Sequence, residues 1–340
     1  MTAATTRIVL AKRPHGVPTD ECFRFEEVQL PTLADGQVLL RIDYLSLDPY
    51  MRGRMNAAKS YAMPTEIGDT MPGGTVATVL ESRSSSVTAG EQVLSYSGWQ
   101  THAVADGATV RRLDPAAAPV QTALGVLGMP GFTAYAGLRN IGRPTAGETL
   151  VVAAATGPVG SMVGQLAQRA GARAVGIAGG PDKVEFLRAG LGFDAALDHR
   201  APDFREQLAA AVPEGVDVYF ENVGGGVFDA VFPLLNTFGR VPVCGLAANY
   251  NLTGLPTGTD RVPALLAGIL TRSLTFRGFI QSEWAATQFD DFLAEVAPEV
   301  AAGRIRYRED VVDGLENAPE AFRGLLAGRN FGKLLVRPNA

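Results

Sequence analysis

The sequence predicts an α/β protein of two domains, an antiparallel β domain and a doubly wound domain built on a six-stranded parallel sheet. Three observations carry that expectation. The length, 340 residues, corresponds to two domains at roughly 150 residues each. Residues 1–125 alternate short apolar runs with Gly, Pro and Asp, the period-two pattern of antiparallel strands. From residue 149 the apolar runs recur with helix-sized segments between them, the pattern of βαβ units on a parallel sheet.

The β segments of the first part are RIVLAK, GQVLLRIDYLSLD, GGTVATVLES, GEQVLSYSG and WQTHAVA. The middle of the chain places strands at 149–155, 173–178, 195–198, 216–221 and 238–244. A sixth, LTFRGF at 274–279, follows a longer excursion through Pro256 and Pro263. Six is the strand number of a full dinucleotide-binding sheet. The acidic, alanine-rich stretch 283–302 reads as a helix, after which GRIRYRED, the helical ENAPEAFRGLLAG and the strand-like FGKLLVRP return to β-rich chemistry. The expected domains are therefore 1–125 together with 303–340, and 126–302 between them.

Composition narrows the function. Thirty Lys and Arg against 35 Asp and Glu give a net charge of −5 with no basic tract, which argues against a nucleic-acid surface. Cys22 and Cys244 stand far apart with no CxxC and no Cys/His cluster. A disulfide scaffold and a structural zinc site are thus not expected, and a reducing, cytoplasmic setting is. The apolar run between Arg7 and Lys12 is too short for a signal peptide. The most apolar stretches, near 149–180 and 262–270, are interrupted by polar residues or fall well short of a membrane span.

Glycine is the outlier, 39 of 340 residues, and its placement carries the chemistry. LVVAAATGPVGSMVGQLAQRAG puts Gly157, Pro158, Val159 and Gly160 after an apolar strand and ahead of a helix, the context of a dinucleotide phosphate turn. Gly157 lets the backbone approach a pyrophosphate, while Gly160, Gly164 and Ala167 share a helical face suited to close packing on the sheet. The helix N-terminus then offers N–H groups to the anion. NAD enzymes present an acid at the tip of the second strand, but here that strand ends in Ala178, Gly179 and Gly180. This leaves room for a 2′-phosphate, and Lys183 supplies a countercharge, with His199 and Arg200 further along. The alternative makes Lys183 a solvated helix lysine and Asp182, at a helix N-terminal position, the ribose ligand.

LSLDPYMRGRM, GMPGFTAYAGL, AATGPVGSMVGQLA, FENVGGGVFDA, VPVCGLAANYN and GRNFGK together resemble the medium-chain dehydrogenase/reductase superfamily. The similarity is to its zinc-independent branch of prostaglandin and leukotriene reductases, plant alkenal reductases and bacterial curcumin reductases, and it spans nearly the whole chain. The resemblance implies a GroES-like β domain formed from both termini, a Rossmann domain between them, and reduction of the double bond of enones and enals with NADPH. It further implies Lys183 as the 2′-phosphate ligand, and Asn222, the loop Cys244, Gly245, Leu246 to Tyr250, Phe279, Ile280 and Asn330 around the nicotinamide half. The prostaglandin reductases place a tyrosine near the adenosine phosphate where this chain has His199. No zinc is expected, because Cys22, His15, His102 and His199 do not supply the ligand set of the zinc-binding branch. A homodimer is expected from the family.

Conjugate reduction requires something to hold the charge that grows on the carbonyl oxygen, and a neutral donor suffices. Tyr250 fits, since a phenol with a pKa of about 10 stays protonated at neutral pH. Tyr50 and Arg52 follow a strand and a proline turn, where loop side chains reach a substrate cleft. Two rivals keep the same cofactor motifs: an NADPH quinone oxidoreductase, indifferent to enones, and a non-catalytic NADPH-binding redox sensor, which needs no donor at position 250.

Overall fold

The computed structural model describes residues 4–254 and 258–339; Pro256 falls outside them. The chain divides into two units, one running to Gly128 and resuming at Glu309, the other comprising Met129–Arg308. Residues 303–308, expected with the β domain, fall in the second unit. Gln165, inside the helix Pro158–Arg169, bonds both the amide and the carbonyl of Arg306 at 2.8 Å and fastens that segment.

In chain order the first unit has β1 (Ala4–Leu10), β2 (Phe23–Gln29), β3 (Gln37–Ser46), β4 (Thr75–Ser82), β5 (Gln92–Ser95), β6 (His102–Asp106) and β7 (Arg111–Arg112). The second contains β8 (Thr149–Ala153), β9 (Arg173–Ala178), β10 (Ala195–Asp198), β11 (Val216–Phe220), β12 (Leu235–Val243) and β13 (Thr275–Gly278). The last strands, β14 (Glu309–Asp313) and β15 (Lys333–Arg337), return to the first unit, whose main sheet runs β14-β15-β3-β4-β5-β7 with β6 on β3. Its pairings are antiparallel except for β14 with β15.

Strand β2 escaped the sequence reading for a physical reason. It pairs only with β1 as a ribbon, and Phe25 remains exposed while Glu26 and Glu27 sit side by side, so burial imposes no alternation on FRFEEVQ. Behind that ribbon Trp99 is fully buried, stacked on Phe23 at 5.7 Å and edge-on to Phe322 at 5.6 Å.

The second unit's sheet has the order β10-β9-β8-β11-β12-β13, all parallel. This is the doubly wound order whose direction of growth reverses between the first and fourth strands, here β8 and β11, and such sheets bind ligands at the carboxyl ends beside that reversal. Val151, Val175, Tyr219 and Val241 lie in one buried cluster on the sheet. Helix Ser282–Ala301 occupies the stretch expected to be helical. Among the described residues no helix is long and apolar enough to cross a membrane.

Candidate active site

The turn after β8 is made of backbone held under steric constraint. Ala154 adopts φ +51°, a left-handed conformation that costs a residue with a Cβ of order 1 kcal/mol or more. Gly157 then caps the helix Pro158–Arg169, with proline in its first turn. A glycine has no side chain with which to bond the first-turn N–H groups, so these are left for a ligand. Gly157, Pro158 and Val159 are half-buried. A Cβ on Gly157 would meet only the Ala154 carbonyl oxygen, at 3.3 Å, leaving the space before the helix open. On Gly160 it would stand 2.5 Å from that oxygen and 2.7 Å from Ala155 Cα, and on Gly164 only 1.9 Å from the Phe193 ring. The two glycines let the helix lie against the strand end and the Phe193 side chain. An open backbone cradle at a helix N-terminus fits the pyrophosphate of a dinucleotide.

At the end of β9, a Cβ on Gly179 would come within 2.9 Å of both His199 Nε2 and Arg200 Nε. Gly180 has φ +98° and leads into the short helix Pro181–Glu185, where Lys183 is half-buried. Lys183, His199 and Arg200 thus gather around the glycines, and burial, Arg200 and Lys183 together push the His199 imidazole below its ordinary pKa. The carboxylate at this tip is Asp198. Although burial acts to raise its pKa, hydrogen bonds from the Gly180 and Arg200 N–H groups hold it below the usual value. Asp198 spends its acceptors on backbone, and Lys183 and Arg200 lie with His199 near the glycine turn, an arrangement that fits a 2′-phosphate.

The strands flanking the reversal are joined at their carboxyl ends. Asn222, just past β11, donates from Nδ2 to the Ala153 carbonyl at 2.9 Å. Ala247 and Ala248 donate back to the Asn222 and Val223 carbonyls at 3.2 and 2.9 Å, which lays the loop 244–250 over the 222–225 turn. A Cβ on Gly245 would touch the Asn222 carbonyl oxygen and Tyr250 Oη, each at 3.2 Å. The phenol of Tyr250 therefore reaches back over Gly245 to the switch point. Cys244 is desolvated, and burial pushes its thiol up to about 12, so it remains neutral. Leu246 is exposed.

The remaining expected residues divide. Phe279 is buried, edge-on to Phe220 at 6.1 Å and against Trp284 at 5.8 Å, whereas Ile280 next to it is exposed. In the first unit Tyr50 and Arg52 lie on a short helix, Tyr50–Arg54, and not in a loop as expected. Arg52 is 2% exposed and donates to Asn56 Oδ1 at 2.7 Å and the Gly16 carbonyl at 2.8 Å, so its guanidinium is engaged with the protein itself. Burial and the neighbouring Asp48 carboxylate push the Tyr50 phenol well above its ordinary value. Asn330 turns its amide back onto the Gly332 carbonyl at 2.7 Å. Tyr135 is a packing residue, its hydroxyl on Glu295 at 2.9 Å and its ring against Phe132 and Phe292.

Two buried polar groups went unnoticed in the sequence. Lys333 donates to Asp48 Oδ1 at 2.7 Å and to the Leu47 carbonyl at 2.8 Å, with both side chains buried. Glu221, 1% exposed, ends the apolar run VDVYF. The available signal was a charge bordering an apolar run, Lys333 before LLV and Glu221 after VYF. Among the described residues, no group of three or more His, Cys, Asp or Glu could hold a metal ion.

Comparison with known proteins accords with this geometry. Residues 6–113 match a family described as the N-terminal domain of oxidoreductase, and residues 158–297 one described as zinc-binding dehydrogenase. The chain is 54% identical to the NADPH-dependent curcumin reductase of Escherichia coli over 97% of this chain and 96% of that one. It is 41% identical to prostaglandin reductase 1 of Oryctolagus cuniculus over 95% and 90%. The crystal structure of CurA in complex with NADPH from Vibrio vulnificus superposes with a TM-score of 0.95 at 53% identity, covering 98% of this chain and 99% of that one. With a glycine phosphate turn, a cation-lined second strand and a phenol at the switch point, the chain belongs to the medium-chain dehydrogenase/reductase superfamily, in its zinc-independent branch of curcumin, prostaglandin and alkenal reductases.

Proposed function

We propose that this chain is an NADPH-dependent reductase of the carbon–carbon double bond of α,β-unsaturated ketones and aldehydes. The observation that carries the reading is the Tyr250 hydroxyl, held over Gly245 beside Asn222 where a doubly wound sheet takes its ligand. The curcumin and prostaglandin reductases to which the chain is similar support the substrate class.

Gly157, Pro158, Val159 and Gly160 hold the pyrophosphate, and Lys183 with His199 and Gly179 holds the 2′-phosphate. Asn222, Cys244, Gly245, Leu246 and Ile280 shape the nicotinamide end, with Phe279 setting the backbone beneath it. NADPH, when bound, supplies the hydride that the β-carbon receives. Tyr250 Oη donates a hydrogen bond to the carbonyl oxygen as that oxygen takes up enolate charge, a role for which a neutral phenol is suited. Arg52, bonded to Asn56 and the Gly16 carbonyl, fixes the helix that carries Tyr50.

The protein works as a homodimer in the cytoplasm. Val262, Leu266 and Leu270 expose an apolar face on the helix Val262–Thr271, beside the edge strand β13, and a second copy covers it. Both cysteines are free, which suits a reducing compartment.

The test is Tyr250→Phe. With an enone at saturation, kcat should fall between about tenfold and a thousandfold while NADPH affinity barely moves, because the substitution removes a donor to the developing oxyanion. Full activity in Tyr250→Phe, or a wild-type protein that oxidises NADPH with quinones and not with enones, contradicts the reading.

A further inference from the structure

Among the described residues, Glu221 is the one buried carboxylate at the carboxyl end of the parallel sheet that the proposed chemistry does not use. It is 1% exposed, and every oxygen it has is engaged. Oε1 accepts the N–H groups of Val223 at 2.6 Å and Gly224 at 2.8 Å, and Oε2 accepts the Tyr219 hydroxyl at 3.0 Å. Its backbone carbonyl accepts Cys244 N at 2.9 Å and Gly245 N at 3.1 Å. One residue therefore binds the first halves of two loops, the 222–225 turn with its side chain and the 244–250 loop with its main chain.

The turn it holds has little rigidity of its own. Gly224 and Gly225 both have positive φ, +75° and +55°, and successive glycines are the least constrained backbone a chain can have. The loop that carries Tyr250 rests on that turn through Ala247 N on the Asn222 carbonyl and Ala248 N on the Val223 carbonyl. A Cβ on Gly224 would meet Leu246 at 3.3 Å, and one on Gly225 would meet Ala248 at the same distance, so the two loops are in contact along their length.

We propose that Glu221 is a positioning residue for double-bond reduction: its buried carboxylate ties down Val223 and Gly224, and the turn so fixed holds Asn222 and the Tyr250 hydroxyl in one arrangement at the switch point. The inference rests on the function proposed above. Burying a carboxylate is costly, and a neutral group would cap the turn more cheaply. Two N–H bonds to an ionised oxygen are, however, about twice as strong as to a neutral one, which is what a pair of glycines needs.

The titratable groups facing this carboxylate are Tyr219 and Cys244. Burial pushes both upward, Cys244 to about 12, so both stay neutral through the range in which Glu221 changes charge. Burial also raises Glu221 above the ordinary carboxylate range, against the pull of the Val223, Gly224 and Tyr219 bonds. Protonating it weakens its hold on the two N–H groups, so activity should fall on the acid side.

The test is Glu221→Gln, which keeps the shape and removes the charge, read by hydrogen exchange and by kinetics on the whole protein. The amides of Val223, Gly224, Ala247 and Ala248 should exchange at least tenfold faster together, in a readout that does not depend on the reaction. With an enone, kcat should fall about tenfold with KM for NADPH nearly constant, and the acid limb of the wild-type pH profile should disappear. Should Glu221→Gln fold poorly, Tyr219→Phe serves instead: loss of the O–H donor raises the carboxyl pKa, and the acid limb should move to higher pH. Unchanged exchange in the 244–250 loop, or a lower Tm with kcat and the acid limb intact, overturns the proposal. A wild type inactive on enones whose Glu221→Gln exchange still changes as described overturns the function alone.

Discussion

Two loops at the same edge of the parallel sheet reach their geometry by opposite means. The turn after β8 is shaped by what is absent: Gly157, Gly160 and Gly164 have no Cβ, and each of the latter two would clash if it had one. The paired loops after β11 and β12 are shaped by what is present, a buried carboxylate bonded to Val223, Gly224 and Tyr219. Steric exclusion leaves a mark at the position itself, whereas a side-chain anchor acts on neighbours that carry no mark. The first kind of construction is therefore readable from residue identity, and the second is not.

Mutation separates the two kinds of construction. Gly160→Ala forces a Cβ to within 2.5 Å of a backbone oxygen that cannot easily move. It should cost about 1–3 kcal/mol, the usual range for overpacking, seen as a lower Tm and a weaker grip on NADPH and NADH alike. If Gly160→Ala is tolerated in both respects, the phosphate turn is not held by exclusion and the contrast fails. Lys183→Ala sharpens the same region with a smaller and more selective change. NADPH affinity should fall about tenfold, or ~1.4 kcal/mol, with NADH nearly unaffected, as measured by titration of each cofactor. Equal losses would remove Lys183 from the 2′-phosphate site.

The contrast also explains how far the sequence could be read. The central parallel strands were legible because a strand buried on both faces is largely apolar, as LVVA, AVGIA and VYF are. The glycine turn after β8 and the glycines that follow β9, Gly179 and Gly180, were legible as well. Strand β2 was hidden because an exposed ribbon tolerates FRFEEVQ. The Asp48–Lys333 pair was hidden because each partner's burial depends on a residue 285 positions away, and Glu221 because its acceptors are met mainly by backbone N–H groups, which residue identity does not show. Tyr50 and Arg52 were placed correctly after β3, but their helical setting, and the Gly16 carbonyl that engages Arg52 from a distant part of the chain, left no local trace.

On the proposed function, the neutral phenol of Tyr250 beside the reversal of the sheet directs reduction to the alkene. Reduction of the carbonyl itself would place full charge on an alkoxide, while reduction of the alkene spreads it over an enolate that hydrogen-bond donors can hold. The most direct measurement is the product formed from an enone with NADPH carrying deuterium in the transferred position. A saturated ketone with the label on the β-carbon is expected; an allylic alcohol with the label on the carbinol carbon would rule out alkene reduction.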